Sequence, residues 1–311
     1  MNTERINEMV CGMDSFSKEK YSKGEILDEM IQLEHEMIKL TFGNESENYK
    51  LRDVGEYYKK KNQEMRYVAS EELTKFINGS RKLHCLLKAE ISGRKGEEKA
   101  FAVLDTLNGS NVVLKNVELR EGELKTEIDA LVITPKCVTI IEVKNTSKDV
   151  YINETGNYYR TGEFLKWDSN LGEKMSLRER MLKNVLSRIG YDWIEIKSVV
   201  VFTDNRIEVH NKYKSLKTCF IGQLIHIIRK NGYNNCLSDK DINVIGLAIK
   251  DAEQHEEYPF GFNVEQYKRD YATLVVKLSE AQERRANSLL YKVICFFNNK
   301  ASYVAGTAAV F

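Results

Sequence analysis

The sequence predicts an α/β protein with a mixed central sheet flanked by helices and with helical extensions at both ends. Apolar residues recur at helical spacing in the first part of the chain. Strand-like apolar runs then alternate with helical segments, and helical spacing returns near the end. These patterns divide the chain into a helical N-terminal region (residues 1–90), a central α/β domain (residues 91–225) and a helical C-terminal extension (residues 226–311).

The N-terminal region contains one clear apolar stripe. Its members are spaced by alternating steps of four and three residues and are Ile26, Met30, Leu33, Met37 and Leu40. Two heptads are too few to separate a coiled coil from ordinary core packing. Packing on the chain's own core and self-association through this helix therefore both remain open, as does docking of a partner protein on the flanking helices.

The central and C-terminal regions can be assigned element by element. Their predicted helices are Gly96–Leu107, Glu173–Ile189, Asp239–Gln254 with Ser238 as N-cap, and Asn263–Phe297. The predicted strands are Asn111–Leu119, Thr126–Ile133, Val138–Val143, Ser198–Phe202, Ile207–Val209 and Thr218–Ile221. An aromatic insert at residues 145–172 fits either a base-stacking surface or a hairpin that packs its tyrosines on the sheet.

Composition excludes several classes of protein. With 47 basic and 46 acidic residues, the chain is not a polybasic protein that binds phosphates or membranes by charge alone. The six cysteines form no C-x-x-C pair and no zinc-like spacing, so reduced thiols are expected. The first residues lack an apolar signal segment, which predicts a cytoplasmic protein. The apolar stretch Leu289–Phe297 is too short for a membrane span of ~20 residues.

The turn at Pro135-Lys136 determines how two of the predicted strands pair. Proline suits the first central position of a type I or II turn. With a loop of two or four residues centred there, paired positions sum to 271, so Asp129 lies opposite Glu142. Cross-strand partners have Cβ atoms ~5 Å apart. Lys144, two residues after Glu142, points to the same face.

The apolar surroundings of these charges predict a metal site. Mostly Ile, Val, Leu and Ala flank Asp129 and Glu142, and two buried carboxylates repel each other unless a cation lies between them. Magnesium, or manganese in its place, fits a set of oxygen ligands. A lysine beside the metal can orient or deprotonate water and stabilise charge on a phosphate. We therefore expect Asp129 and Glu142 to bind the metal and Lys144 to assist hydrolysis.

The E-x-K spacing alone carries little information. It occurs four times, beginning at Glu97, Glu123, Glu142 and Glu195, and only the Glu142 copy has an aspartate placed to face it across a hairpin. The structural alternative is a salt bridge, because the same register puts Glu127 opposite Lys144.

Three short segments carry a family resemblance. Gly93-Arg-Lys-Gly-Glu97, Ile128-Asp129 and Ile141-Glu-Val-Lys-Asn145 resemble the nuclease-related domain (NERD), a family of the PD-(D/E)xK nuclease superfamily. The resemblance covers about Gly93 to Asp204 and implies a restriction-endonuclease-like core in which the aspartate and the E-x-K glutamate hold magnesium. It also carries an acidic site residue and metal ligand onto Glu97, for which a helix-stabilising acid in a first turn is the alternative.

The resemblance extends in part to the following helix. Trp167 matches a tryptophan that the family places after the E-x-K strand. The family's Asn-Pro-x-x-Gln helix start corresponds here to Met175-Ser-Leu-Arg-Glu179, with glutamate in place of glutamine. The basic residues of this helix either contact phosphates or form a solvated face; those expected to bind nucleic acid, together with Trp167, are Arg178, Arg180 and Lys183.

Two functions from different classes fit the sequence. The first is a magnesium-dependent nuclease that hydrolyses phosphodiester bonds in DNA, with RNA as the second candidate, within a defence or DNA-processing system. The alternative is a non-catalytic nucleic-acid-binding or scaffold module that retains the fold. The presence of Asp129, Glu142 and Lys144 favours the nuclease.

Overall fold

The computed structural model describes residues 23–161, 163–166, 170–232, 236–254 and 261–307. Its helices are α1 (Lys23–Phe42), α2 (Leu51–Glu64), α3 (Ser70–Leu104), α4 (Leu171–Arg188), α5 (Leu224–Lys230), α6 (Asp239–Asp251) and α7 (Val264–Thr307). Its strands are β1 (Val112–Glu121), β2 (Leu124–Ile133), β3 (Val138–Lys144), β4 (Val150–Ile152), β5 (Tyr158–Arg160), β6 (Glu163–Lys166), β7 (Ile196–Phe202), β8 (Val209–Asn211) and β9 (Lys217–Phe220). Short 3-10 turns cover Gly43–Asn48 and Ile221–Gln223.

Contacts group the chain into two compact units. The first contains the described residues up to Lys88 and from Gly261 onward, and the second contains those from Ala89 to Gln254. This grouping differs from the three consecutive regions expected from the sequence. Helices α5 and α6 belong to the unit with the sheet, whereas α7 belongs with the N-terminal helices.

The first unit is helical and has an aromatic core. Tyr58, Phe76 and Tyr271 are buried, with ring centroids 5.2 to 6.2 Å apart. The hydroxyl groups of Tyr58 and Tyr271 lie 3.1 Å apart, and Ser80 lies 2.8 Å from the Tyr267 hydroxyl. Each buried phenol named here thus has a hydrogen-bonding neighbour, as burial of a polar group requires.

The apolar stripe of α1 packs inside this unit. Met30, Leu33 and Met37 are buried and Leu40 is half-buried. The side chain of Ile26 lies outside the described residues. Core packing of the stripe is therefore confirmed for these four residues, and self-association through it stays a prediction.

We expect Leu33→Asp to unfold the first unit, because it puts a carboxylate without a counter-charge into a close-packed core. Thermal denaturation followed by circular dichroism measures this loss. Leu290→Asp is the matched control, since Leu290 on α7 is 64% exposed and its replacement should leave the melting temperature unchanged. An unchanged melting temperature for Leu33→Asp, with a lower mass in size-exclusion chromatography, would instead assign the stripe to self-association.

The second unit is built on a mixed five-stranded sheet in the order β1-β2-β3-β7-β9. The first three strands pair antiparallel, and β3, β7 and β9 pair parallel. Helices cover both faces of this sheet, which explains the near-continuous apolar runs of its central strands. Ile140, Val200 and Phe202 pack in one cluster with α4 and α6, and Ile141, Val199 and Val201 pack in another with the end of α3 and with α5. The predicted α/β fold with a mixed sheet is confirmed.

Helix α3 begins much earlier than predicted. The expected start at Gly96 was wrong, because Gly93 and Gly96 lie inside one helix that begins at Ser70. Glycine disfavours a helix interior, but here it permits close packing: a Cβ on Gly96 would lie 2.6 Å from the Cβ of Asn145. Glu97 is consequently an interior helix residue, and the alternative of a first-turn acid does not apply.

The aromatic insert forms strands of a small second sheet, in the order β6-β5-β4-β8. Strands β4 and β5 form an antiparallel hairpin, and Tyr158 on β5 is buried in the cluster beneath α4. The hairpin alternative is thus confirmed for Tyr158. Trp167 lies outside the described residues.

The C-terminal part of the chain follows the sequence closely. Ser238 caps α6 by accepting the Asp241 amide, as predicted, although the helix ends at Asp251. The last helix was expected over Asn263–Phe297 and is described over Val264–Thr307. Cys85, Cys137, Cys219 and Cys236 are free thiols. None of the described helices is apolar over a length sufficient to cross a membrane.

Candidate active site

The strand register places Asp129 beside Glu142. Ala130 pairs with Ile141 and Ile133 with Val138, which is the predicted register. The ladder between β2 and β3 ends at Ala130, and the Asp129 carboxylate accepts the Val143 amide through Oδ2 at 2.6 Å. This side chain therefore satisfies a backbone donor at the point where the two strands separate.

Glu142 is enclosed by cationic side chains. It is 2% exposed, and its Oε1 accepts a hydrogen bond from Lys174 Nζ at 3.2 Å and forms an ion pair with Lys144 Nζ at 2.9 Å. Its Oε2 accepts from Arg178 Nη1. Sequence reasoning missed Lys174, although its position four residues before Arg178 on α4 puts both side chains on one helix face.

Arg178 links the two carboxylates. Its side chain is 1% exposed, and its Nη2 lies 3.8 Å from Asp129 Oδ1 while Nη1 donates to Glu142. Among the described residues its buried Nε has no hydrogen-bond partner. Arg178 was expected to contact phosphate from the helix surface, but it lies between Met175 and Leu182 on the buried face of α4, where it contacts the acids of β2 and β3.

The same cluster shifts the pKa values of the two acids in opposite directions. Burial and the negative charge of Glu142 raise the pKa of Asp129, against the opposing effects of Arg178 and the Val143 amide. Burial also acts to raise the pKa of Glu142, but Lys144, Arg178 and Lys174 outweigh it and hold the pKa well below its usual range. Glu142 is thus a fully compensated anion, whereas Arg178 compensates the charge of Asp129 only in part.

Lys144 lies between Glu142 and an aromatic ring. Its Nζ is 5.8 Å from the ring centroid of Tyr158, within the range of a cation–π contact, and its side chain is 16% exposed. Glu127 is the acid that the predicted register places opposite Lys144. It lies beyond the end of the β2–β3 ladder, and its strand partner on β1 is Glu118. Lys144 thus forms an ion pair with Glu142, and the bridge to Glu127 stays a prediction.

Glu97 acts on this pair through its charge. It is half-buried on α3, and its charge contributes to the raised pKa of Asp129. However, the described residues contain no group of three or more His, Cys, Asp or Glu side chains arranged to hold a metal ion. The structure brings together Asp129, Glu142 and Lys144 and does not bring Glu97 into one ligand set with them.

The segment that carries this cluster matches a known family. Residues 92–203 match the model of the nuclease-related domain, from the later part of α3 to the end of β7. This segment is therefore similar to a nuclease-related domain. No curated protein and no solved structure matches the chain.

Helix α4 of the matched segment has one buried and one solvated side. Arg180 and Lys183 are exposed, as a solvated face or a phosphate-binding face requires. Glu179, which replaces the family's glutamine, accepts a hydrogen bond from the Ser198 hydroxyl on β7. That bond ties the helix to the sheet beside the acidic pair and gives the replacement a structural role.

The donor set of the matched segment fits magnesium. Asp129 and Glu142 offer carboxylate oxygens on one face, and magnesium is commonly held by one or two carboxylates with water and substrate phosphates. Burial and the charge of Glu142 raise the pKa of Asp129 despite Arg178, and a divalent ion beside it would supply further positive charge. Arg178 now provides the counter-charge to the pair, so a metal ion would share this role with the guanidinium or take it over.

Proposed function

We propose that the nuclease-related domain is a metal-dependent nuclease that hydrolyses phosphodiester bonds in DNA, with RNA as the second candidate substrate. The observation that supports this most is the convergence of Asp129, Glu142 and Lys144 within the matched segment. Two oxygen ligands and a neighbouring ammonium group are the side chains that metal-assisted hydrolysis of a phosphate requires. Glu97 remains in this proposal as an acid that acts on Asp129 through space.

The chain's own residues divide the chemistry among them. Asp129 and Glu142 would hold magnesium, or manganese, which supplies Lewis acidity at neutral pH. Lys144 donates hydrogen bonds from its ammonium group, so it can hold a phosphate oxygen and stabilise the charge that develops there. Arg178 fixes the relative position of the two carboxylates, since it contacts both from α4.

One observation favours the non-catalytic alternative. Glu142 already has ionic partners at both oxygens, and a carboxylate neutralised in this way can be purely structural. In a binding module the same cluster would simply hold α4 on the sheet. Exposed basic residues such as Arg180 and Lys183 would then contact nucleic acid. The location in the cytoplasm and a defence or DNA-processing role stay predictions under either function.

The full chain should cleave DNA in the presence of magnesium or manganese and stop when the metal is chelated. The assay uses supercoiled plasmid, linear duplex, single-stranded DNA and RNA over a range of salt. Asp129→Asn should lose cleavage together with metal binding measured by calorimetry, because it removes a charged oxygen ligand from the pair. Asp105→Asn is the matched control, since Asp105 is an exposed carboxylate paired with Lys115 at 2.8 Å outside the site.

Two results would count against the proposal. Wild-type protein that binds nucleic acid but cleaves none of the substrates would favour the binding module. Cleavage by Asp129→Asn at the rate of Asp105→Asn would show that the metal site lies elsewhere.

A further inference from the structure

A second polar site lies at the same edge of the main sheet. Strands β3 and β7 are parallel neighbours, and their carboxyl ends border a pocket of about 300 Å³. Ligands of open α/β sheets bind in crevices outside the carboxyl ends of such strands. The side chains that matter here are Lys99 of α3, Asn145 and Ser147 after β3, and Thr203, Asp204 and Arg206 after β7.

This pocket is separate from the acidic pair. Successive side chains of a strand point to opposite faces, so Asn145 points away from Lys144 and towards α3. The close approach of Asn145 to Gly96 agrees with this direction. The pocket therefore lies on the α3 side of the sheet edge, while Glu142 and Lys144 face α4.

The wall of the pocket is held in place by hydrogen bonds. The Asn145 side-chain amide donates to the Ser92 carbonyl at 2.7 Å, and its oxygen accepts from the Thr203 hydroxyl at 2.6 Å. One side chain thus joins α3, β3 and β7. A site fixed in this way loses little conformational freedom when a ligand binds.

The charges of the pocket favour an anion. Arg206 donates to Asp204 through Nε at 2.9 Å and Nη2 at 2.7 Å, and this contact lowers the pKa of Asp204 to about 2. The pair is therefore ionised and neutral overall at physiological pH, and the positive charge of Lys99 remains in excess. A guanidinium has five N–H donors, so Arg206 can serve Asp204 and a ligand oxygen together.

Two other kinds of ligand fit less well. A metal cation would have to compete with Arg206 for Asp204, the carboxylate that lines the pocket. A nucleobase would need an aromatic or apolar wall, but the described lining consists of polar and charged residues. A phosphate, with several oxygens and a negative charge, matches the ammonium, guanidinium and hydroxyl donors.

We propose that this pocket binds a backbone phosphate of the nucleic-acid strand, next to the phosphate held at Lys144. This assignment rests on the proposed function for the identity of the ligand. Lys144 is the last residue of β3 and Asn145 directly follows it, so one nucleic-acid strand that crosses the sheet edge reaches both sites. The pocket then positions the substrate and takes no part in bond cleavage.

The test is binding of fluorescent single-stranded and duplex DNA to the full chain in chelator, where cleavage cannot proceed, over a series of salt concentrations. Lys99→Gln and Arg206→Gln should each weaken binding and reduce the slope of log K against log salt by about one unit. Lys99→Arg should restore binding. Under cleavage conditions the two Gln variants should raise KM and leave kcat unchanged.

The matched control is Lys230→Gln. Lys230 is exposed at the end of α5, next to Asn231, whose side-chain amide lies 3.3 Å from the Thr139 hydroxyl near the opposite end of β3. Lys230→Gln should leave both the DNA affinity and the slope of log K against log salt unchanged. If Arg206→Gln lowers the melting temperature by freeing Asp204, Lys99→Gln decides the result, because its side chain is exposed.

The outcomes separate this proposal from the nuclease proposal. Pocket variants that bind DNA as tightly as Lys230→Gln overturn the phosphate site even if the wild type cleaves. The wild type could cleave nothing while the pocket variants bind DNA more weakly than the wild type and with a smaller salt slope. That result overturns the nuclease proposal and supports the phosphate site. Absence of any nucleic-acid binding by the wild type overturns the phosphate site as well.

Discussion

Arg178→Met is expected to destabilise the unit that carries the sheet by about 3–5 kcal/mol, the usual result of removing one partner from a buried ion pair. The guanidinium contacts both Asp129 and Glu142, so its loss leaves two neighbouring carboxylates with only Lys144 and Lys174 as described counter-charges. Methionine fills much of the same volume, which limits the contribution of a cavity. Denaturant unfolding followed by circular dichroism measures the change.

The pH dependence and the response to magnesium identify the cause. Without Arg178 the folded-state pKa values of both acids rise, and an acid with a raised folded-state pKa destabilises the protein increasingly as pH rises through that pKa. The deficit should therefore shrink as pH falls. Saturating magnesium should restore part of the stability, because an ion that binds only the folded state stabilises it.

Arg180→Met is the matched control for this experiment. It removes the same charge from the same helix, but Arg180 is exposed and its loss should change stability little. Equal effects of the two substitutions, or no response of Arg178→Met to pH and magnesium, would contradict a guanidinium that serves as the counter-charge of the acidic pair.

Lys144→Met is expected to reduce cleavage by on the order of 100-fold or more, as seen when one donor to a developing negative charge is removed. The proposed role of Lys144 is on the water and the phosphate, so metal affinity should remain close to that of the wild type. Single-turnover cleavage measures the rate and calorimetry measures the metal affinity. Both are expressed per folded molecule.

Lys174→Met is the matched control for Lys144. Lys174 donates to the same oxygen of Glu142, but its side chain is 32% exposed against 16% for Lys144, so solvent screens its charge more. A much smaller loss of rate is therefore expected. If both variants lose rate equally, or if Lys144→Met only lowers the melting temperature, the lysine is a structural counter-charge and not a participant in cleavage.

The sequence predicted most of the sheet and the centre of the site because the signals there are local. Proline at position 135 and the alternation of the flanking residues determined the register that pairs Ala130 with Ile141. That register determined the common face of Asp129 and Glu142. The apolar runs of β3 and β7 indicated strands buried on both faces, and the Ser238 cap gave the start of α6.

The predictions that were wrong concern features that depend on contacts between distant segments. Gly96 was predicted to begin a helix. Instead it lies inside one, where the absence of a side chain lets Asn145, 49 residues later, pack against the helix. Arg178 was expected at the helix surface, because the sequence of the helix contains no information on the acids that lie opposite it. Only the folded chain shows two acids of β2 and β3 beneath α4, and only their attraction makes burial of a guanidinium favourable.

The sequence by itself determined the α/β class, the hairpin register and the acidic pair with its lysine, because turn chemistry and residue alternation act over a few neighbouring positions. The tertiary structure decided how the charge of that pair is balanced. Lys174 and Arg178 come from α4, more than 30 residues after Glu142. The packing of that helix on the sheet brings them to the carboxylates, and no local pattern encodes such a contact.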